Sequence, residues 1–295
     1  MAASLSRLVG AVLAAACAAV PAQAAPGPQG APATRVVSLG GTVTEIVYAL
    51  DQGSRLVGDD LSSLYPEAAT KLPRVGYYRA VPVEGVLALR PDLVLASDQA
   101  GPPAAIARLK EVGVPVAVVS DQPTVQSLDE RIRQIAQALG VPERGVQLAG
   151  SVDAALRDAR ALPASHARAV LIMNRTGTPL GAGGGTAASL VLELSGLVNV
   201  LADQQGYKPL SAEALSALAP QVIVVPRMSL EAAGGMQKLR AMPGVASTPA
   251  AANGCIVVMD DLLALGTGPR LPQAIRTLKE TDCVARQGRP SGPAS

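Results

Sequence analysis

The 295-residue sequence predicts an α/β protein made of two lobes that are joined by a single long α-helix. Three observations lead to this fold class. Short apolar runs alternate with amphipathic stretches, which is typical of α/β units with mainly parallel sheets. The second half of the chain repeats motifs of the first half in the same order. Between the halves, residues 142–163 have a helical pattern with a proline at each end.

Residues 1–24 predict a secretory signal peptide, and residues 25–34 a flexible leader. Arg7 precedes an apolar run that is too short to cross a bilayer, and the small residues that follow permit cleavage near Ala24. The competing interpretations are a buried N-terminal helix and, through Cys17 in a loose lipoprotein box, a lipid anchor. The pattern favours export, which places the mature chain outside the cytoplasm.

The strands are expected where short apolar runs rich in β-branched residues occur. Six runs meet this description: Arg35–Leu39, Leu93–Ala96, Val114–Val119, Ala169–Met173, Val222–Val225 and Cys255–Met259. Amphipathic stretches lie between them. In Val125–Leu139 the apolar residues recur every three or four positions, which predicts a helix with one buried face.

An internal repeat divides the chain into corresponding halves. Gly40–Leu50 aligns without a gap with Gly184–Leu194, and Val83–Ala96 aligns with Ala212–Val225. In the first pair, each segment follows a predicted strand and opens a helix. In the second pair, each segment predicts a short helix, a proline and a buried strand. The period is far too long for a solenoid, so two similar lobes are expected.

A Gly-Tyr pair precedes the second repeated segment in each half: Gly76-Tyr77 and Gly206-Tyr207. We therefore predict two Rossmann-like lobes with a ligand cleft between them, since clefts between domains are common ligand sites. The linking helix would be about 30 Å long. The predicted divisions are an N-terminal lobe at 35–141, the linking helix at 142–163, a C-terminal lobe at 164–285 and a flexible tail at 286–295.

The glycine-rich run Gly181–Thr186 superficially resembles a dinucleotide-binding turn but lacks the last glycine of that fingerprint. Its counterpart in the first half, Gly40–Thr42, favours an architectural turn from strand to helix. In each half the threonine, Thr42 or Thr186, is expected to cap the following helix.

Composition and charge exclude several classes of function. With 25 Lys and Arg against 23 Asp and Glu, the chain has no strong net charge, so nothing indicates nucleic-acid binding. The sole histidine, His166, lies in a polar loop before a strand and is interpreted as solvated. Without a second histidine or paired carboxylates, no catalytic arrangement can be assembled. We therefore do not expect an enzyme.

Two cysteines, Cys255 and Cys283, remain after the signal peptide is removed. An even pair in an oxidising compartment permits a disulfide. Two buried free thiols are the alternative, and the sequence does not decide between them.

The strongest local candidate for a site is the run Gly76-Tyr77-Tyr78-Arg79. An ionised tyrosine is a hard oxygen donor of the kind that binds ferric haem. Its ordinary pKa is near 10, so a nearby cation is needed to favour the phenolate. On an extended segment Arg79 would point to the same side as Tyr77, and Tyr78 to the other. The alternative is a tyrosine packed on a loop beside a solvated arginine.

Taken together, these features resemble the periplasmic haem-binding proteins that feed bacterial haem ABC importers, within the helical-backbone class of solute-binding proteins. The blocks that carry the resemblance are Arg35–Ile46, Gly76–Arg79, Glu84–Asp92, Gly206–Glu213 and Gly266–Ala274. The first and third are typical of the wider class, which includes cobalamin and siderophore binders. Gly-Tyr-x-Arg and Gly-Tyr-Lys-Pro favour haem.

The resemblance implies a role in iron uptake: capture of ferric haem b in the periplasm and delivery to an inner-membrane permease. It makes Tyr77 the iron ligand and Arg79 its support. Four second-lobe residues are candidates to pair with the propionates or cover the macrocycle, with ordinary surface charge as their alternative role: Arg175, Tyr207, Lys208 and Arg227.

Two glutamates, Glu84 and Glu213, occupy equivalent places in the repeat, and the resemblance implies that they dock on the permease. Carboxylates favoured by a helix dipole are the competing explanation. The protein is expected to act as a monomer. The alternative ligand is cobalamin or an iron–siderophore, bound by the same class of protein.

Overall fold

A computed structural model describes residues 33–174 and 177–287 of the chain. The predicted signal peptide and Arg175 lie outside these ranges, as do most of the predicted leader and tail. Among the described residues, no helix is both long enough and apolar enough to cross a membrane.

The first lobe contains a four-stranded, wholly parallel sheet in the order β2-β1-β3-β4. The two central strands are buried along their whole length, which explains why they are apolar runs without alternation. The strands are β1 (Val36–Leu39), β2 (Leu56–Asp59), β3 (Leu93–Ser97) and β4 (Val116–Val119). The helices are α1 (Gly41–Ala49), α2 (Val83–Ala88), α3 (Pro103–Glu111) and α4 (Val125–Ala138).

The linking helix α5 runs from Pro142 to Ala161 and packs against α4. The sequence pattern suggests Val146 on its buried face, but this side chain is 56% exposed and Gly145 is buried instead. A Cβ on Gly145 would lie 2.5 Å from the Cβ of Ala136, so the glycine permits the close approach of α4 and α5.

The second lobe has a mixed sheet in the order β10-β9-β5-β6-β8, with β7 also paired to β5. β10, β9 and β5 are parallel, whereas β6 is antiparallel to both of its neighbours. The strands are β5 (Arg168–Met173), β6 (Leu180–Ala182), β7 (Val198–Asn199), β8 (Tyr207–Pro209), β9 (Val222–Pro226) and β10 (Ile256–Met259).

The helices of the second lobe surround this sheet, and α12 packs against the linking helix. Lys279 of α12 donates hydrogen bonds to the carbonyls of Arg160 and Leu162 at 2.8 and 2.6 Å, which caps the end of α5. The helices are α6 (Ala187–Leu194), α7 (Ala212–Leu218), α8 (Arg227–Ala232), α9 (Met236–Ala241), α10 (Pro249–Ala252), α11 (Asp261–Leu265), α12 (Leu271–Glu280) and α13 (Asp282–Gln287).

In the repeat predicted from the sequence, α1 of the first lobe corresponds to α6 of the second, and α2 corresponds to α7. The threonine caps differ between them. Thr186 caps α6 by accepting a hydrogen bond from the Ser189 amide at 3.0 Å. In the first lobe α1 begins two residues earlier in the alignment, at Gly41, so the expectation that Thr42 is a cap is wrong. Thr42 instead donates to Asp121 at 3.3 Å.

A disulfide joins Cys255, just before β10, to Cys283 of α13, with Cα atoms 5.4 Å apart. Cys255 is fully buried, and the bond links α13 to the second sheet.

Candidate ligand-binding cleft

A cavity of about 1000 Å³ lies between the lobes and is lined by residues of both. Several lining residues lie two positions beyond the carboxyl ends of strands, where open α/β sheets commonly bind ligands. Gln99 follows β3 and Asp121 follows β4, while Met228 follows β9 from the other lobe. The parallel strands of the two sheets therefore point their carboxyl ends toward one common cavity.

The Gly76–Arg79 run reaches this cavity as a turn and not as an extended segment. Residues 78–80 form one turn of 3₁₀ helix, closed by a hydrogen bond from the Ala80 amide to the Tyr77 carbonyl at 2.8 Å. Tyr77 and Tyr78 consequently both line the cavity, and their rings meet edge to face with centroids 5.0 Å apart. The expectation that Tyr78 points away is corrected by this geometry.

The guanidinium of Arg79 interacts with the phenols of both Tyr77 and Tyr78. It lies 5.0 Å from the centre of the Tyr78 ring and donates to Gln99 at 3.2 Å. The pKa of Arg79 is raised: burial lowers it, but the phenols of Tyr78 and Tyr77 raise it by more. Burial raises the pKa of the Tyr78 phenol to about 12, with Arg79 acting in the opposite direction. Tyr78 is therefore held neutral near neutral pH, whereas Tyr77 is the more exposed of the pair.

A buried arginine forms an ion pair with a carboxylate that lines the cavity. Arg131 of α4 is fully buried and pairs with the cavity-lining Asp121 at 2.9 Å. Arg131 also donates to the carbonyl of Thr267 in the second lobe, at 2.9 Å. Burial lowers the pKa of Arg131, and the nearby carboxylates act against that shift. Sequence reasoning missed this pair, although a charged residue inside the apolar face of α4 was the available signal.

A second ion pair joins the lobes beside the cavity. Glu45 of α1 is buried and accepts from Arg270 at 3.0 Å through the side chain and at 3.1 Å through the backbone amide. The ring of Tyr65 covers the guanidinium at 3.5 Å. Burial raises the pKa of Glu45, and Arg270 offsets part of that shift. This contact was not predicted, because its partners are 225 positions apart.

The second-lobe candidates divide into two groups. Tyr207 lines the cavity, as expected. Lys208 and Arg227 do not meet the expectation, since both are exposed and neither lines the cavity. Lys208 follows Tyr207 on β8, and successive strand residues face opposite sides. The residue that reaches the cavity after Arg227 is Met228, which is 42% exposed.

The glycine-rich run before α6 packs closely against the backbone of residues 202–204. A Cβ at Gly183 would lie 2.0 Å from the Gln204 carbonyl oxygen, and one at Gly184 would lie 2.4 Å from that of Ala202. The glycines thus allow the chain that leads into Tyr207 to pack closely, which agrees with an architectural turn.

The remaining candidates lie away from the cavity. Glu84 and Glu213 are exposed, and each is the second residue of its helix, α2 or α7. The pKa of Glu213 is lowered by hydrogen bonds at the helix start, including one with Ser211. His166 is an exposed loop residue. Within residues 33–174 and 177–287, no group of three or more His, Cys, Asp or Glu could hold a metal ion.

Solved structures of haem-binding proteins are similar to this chain over most of its length. The periplasmic heme-binding protein RhuT from Roseiflexus sp. RS-1, in apo form, is 38% identical with a TM-score of 0.82, covering 86% of this chain and 99% of that one. The periplasmic heme-binding protein BhuT, in complex with two hemes, is 40% identical with a TM-score of 0.79 and the same coverage. The two-lobed α/β fold predicted from the sequence is thereby confirmed.

A curated relative binds a different ligand. The vitamin B12-binding protein of Yersinia pestis (strain Pestoides F) is 34% identical over 197 residues, which is 65% of this chain and 69% of that protein. The family model described as "Periplasmic binding protein" matches residues 36–263. The chain therefore belongs to the periplasmic binding protein family, whose members bind solutes outside the cytoplasm and are not enzymes.

Proposed function

We propose that this protein captures ferric haem in the inter-lobe cleft through the phenolate of Tyr77 and delivers it to an ABC importer in the inner membrane. The observation that carries the proposal is the 3₁₀ turn at the cavity, which presents two phenols beside the guanidinium of Arg79. The likeness to two haem-binding proteins at 38% and 40% identity supports the same ligand.

The chemistry of the turn favours Tyr77 as the donor to the iron. When haem is bound, the ferric ion supplies a Lewis acid that prefers an anionic oxygen, and tyrosine is a known axial ligand. Arg79 favours the ionised form of a phenol within its reach. Tyr78 needs more free energy to ionise than an ordinary tyrosine, because its pKa is about 12. Its ring also packs against both Tyr77 and Arg79. Its proposed role is to support the other two side chains.

The walls of the cavity suit a flat apolar ligand. Leu61 of the first lobe is 56% exposed and Met228 of the second is 42% exposed, and both line the cavity. Large apolar side chains left open to water in a cleft indicate a surface that a ligand covers. Covering them releases about 25 cal/mol per Å² of apolar area. A haem macrocycle has two such faces, one for each lobe.

Delivery to a permease would use the outer surface of both lobes. Glu84 and Glu213 stand at equivalent helix starts, so they could meet basic side chains at two corresponding points of a permease dimer. The linking helix packs on α4 and α12 and is capped by Lys279, which favours small relative movement of the lobes. Export by cleavage near Ala24 and a monomeric state belong to the same proposal.

Cobalamin is the second candidate, favoured by the vitamin B12-binding relative at 34% identity. It would occupy the same cleft, and an iron–siderophore would be a further ligand of the same class. Neither would require a tyrosinate at position 77.

Hemin titration of the mature protein tests these ligands. The parent protein should show saturable binding and the visible spectrum of ferric haem with a tyrosinate ligand. Tyr77→Ala should lose that spectrum and weaken binding by roughly 100-fold, equivalent to about 2.7 kcal/mol. Tyr78→Ala should keep the spectrum. Unchanged binding in Tyr77→Ala would overturn the site, and saturable binding of cyanocobalamin without hemin binding would assign the cleft to cobalamin.

A further inference from the structure

We propose that Asp60 is a positioning residue for the Gly76–Arg79 turn, and that it sets the orientation in which Tyr77 meets the ligand. The inference rests on the proposed function for its consequence, but the contact itself is independent of which ligand is bound. Asp60 directly follows β2, is fully buried and does not line the cavity. It therefore acts through the turn and not on the ligand.

The carboxylate of Asp60 accepts hydrogen bonds from three separate segments of the chain. One oxygen, Oδ1, accepts from the Gly40 amide at 2.9 Å and from the hydroxyls of Ser62 and Ser63 at 2.9 and 3.2 Å. The other oxygen, Oδ2, accepts from the amides of Ser62 at 2.9 Å and Tyr78 at 3.3 Å. One buried anion thus connects the start of α1, its own loop and the ligand turn.

Further hydrogen bonds fix the turn to the same loop. The amide of Leu61 donates to the Gly76 carbonyl at 2.8 Å, next to Tyr77. Arg74 donates to the carbonyls of Asp60 and Ser63, and its guanidinium lies 3.1 Å from the carboxylate of Asp59. The Asp60 loop and the ligand turn are therefore a single hydrogen-bonded unit.

A neutral side chain cannot replace this carboxylate. Every polar contact of its two oxygens is with a donor, and a buried anion that accepts several such bonds is strongly held. In Asp60→Asn one oxygen becomes an amide NH₂ that faces N–H groups. At least one backbone N–H then loses its acceptor, and the Tyr78 amide has the longest bond of the set. The turn should loosen before the sheet does.

At the Gly-Tyr pair of the second lobe, the backbone is held in a different way. There the Gly206 amide donates to the Gly184 carbonyl, and Tyr207 continues into strand β8, so sheet pairing holds that tyrosine. The first-lobe tyrosine lies in a turn, which requires a side chain to fix it. This contrast explains why a buried carboxylate is placed behind Tyr77.

Asp92 offers an exposed control for Asp60 with a similar set of donors. Its carboxylate also accepts two backbone N–H bonds and one hydroxyl bond, from Thr34 and Arg35 at 2.8 to 3.0 Å. It precedes β3, whereas the cavity lies beyond the other end of that strand. Asp92→Asn therefore disturbs a carboxylate–backbone contact without touching the ligand turn.

The experiment compares Asp60→Asn and Asp92→Asn in the mature protein, first without ligand and then with hemin. Without ligand, hydrogen exchange followed by mass spectrometry should show faster exchange at residues 76–80 in Asp60→Asn alone. With hemin, the same variant should show an altered tyrosinate band and roughly tenfold faster dissociation, which is the effect expected from loss of one positioning contact. Asp92→Asn should keep the parent spectrum.

Exchange and spectra identical to the parent in folded Asp60→Asn would overturn the inference. If the parent binds no hemin while exchange at 76–80 still rises in the variant, the proposed ligand fails but the positioning role stands. If Asp60→Asn does not fold, Ser63→Ala replaces it, since this removes a donor to the Oδ1 atom of the same carboxylate. The variant should then accelerate exchange at 76–80 in the same direction, and unchanged exchange there would also overturn the inference.

Discussion

The two lobes repeat one backbone plan but differ at the Gly-Tyr pair. In the first lobe, Gly76-Tyr77 enters a 3₁₀ turn that also presents Tyr78 and Arg79 to the cavity. In the second lobe, Gly206-Tyr207 enters strand β8, where alternation turns Lys208 away from the cavity. The difference teaches that a repeated scaffold places tyrosines on both sides of the cleft, whereas the 3₁₀ turn that brings Arg79 beside two phenols belongs to the first lobe.

Removing each phenol in turn tests this asymmetry and should give the largest effect. Tyr77→Phe should weaken hemin binding by roughly 100-fold, because the iron loses its anionic donor. Tyr207→Phe keeps the ring that lines the cavity and should change affinity by less than about threefold. Isothermal titration with hemin, together with the visible spectrum of each complex, measures both. Equal losses in the two variants would show that both lobes supply ligands and would contradict the asymmetry.

The contact between the lobes is asymmetric as well, since α1 of the first lobe carries Glu45 where α6 of the second carries Ser189. Arg270→Met should destabilise the protein by about 3 kcal/mol, because it leaves a buried carboxylate without its cation. Thermal and urea unfolding measure the loss. Arg276→Met is the control. Arg276 forms an exposed pair with Glu280 at 3.9 Å, and its loss should cost less than about 1 kcal/mol.

The stability of Arg270→Met, relative to the parent protein, should depend on pH in a direction that can be checked. Burial already raises the pKa of Glu45, and Arg270 offsets part of that shift, so removing Arg270 should raise the pKa further. A carboxyl whose folded pKa is raised contributes stability at low pH and loses it as the pH rises through that pKa. The deficit of Arg270→Met should therefore be smallest near the ordinary pKa of a glutamate and grow toward neutral pH. A deficit that is independent of pH would mean that Glu45 is not the residue left unpaired.

The main elements could be predicted from the sequence because their signals are local. Buried strands such as β1 and β9 consist largely of apolar residues, and the repeat indicates by alignment alone that the chain has two similar lobes. Strands β6 and β8 contain three residues each and are too short to give a pattern. Their existence depends on the pairing of distant segments.

The site could be predicted in part, for the same reason. Tyr77 and Tyr207 belong to a motif that is visible twice in the sequence, and both line the cavity. The turn at Tyr78 could not be predicted, since it depends on hydrogen bonds to Asp60 and to Gly101. Sequence alternation alone treats that segment as extended, and this is why Tyr78 was assigned to the wrong side.

Glu84 and Glu213 are proposed to dock on the permease at equivalent points, so they provide a test of the symmetry between the lobes. Glu84→Lys and Glu213→Lys should leave hemin affinity unchanged, because both side chains are exposed outside the cavity. Each should reduce permease-dependent haem uptake into proteoliposomes by roughly tenfold, through loss of a charge pair at the interface. Similar losses from the two lobes would support docking at two equivalent points.

A matched control separates docking from helix stability. Glu143 is also an exposed second residue of a helix, the linking helix α5, where a helix dipole would favour a carboxylate as well. Glu143→Lys should cost a comparable fraction of a kcal/mol, about 0.3 to 1, without reducing uptake. If Glu143→Lys reduces uptake as much as the other two variants, the effect belongs to the helix ends. If only one of Glu84→Lys and Glu213→Lys reduces it, the permease contacts a single lobe, and the symmetry that the two lobes share in their fold does not extend to docking.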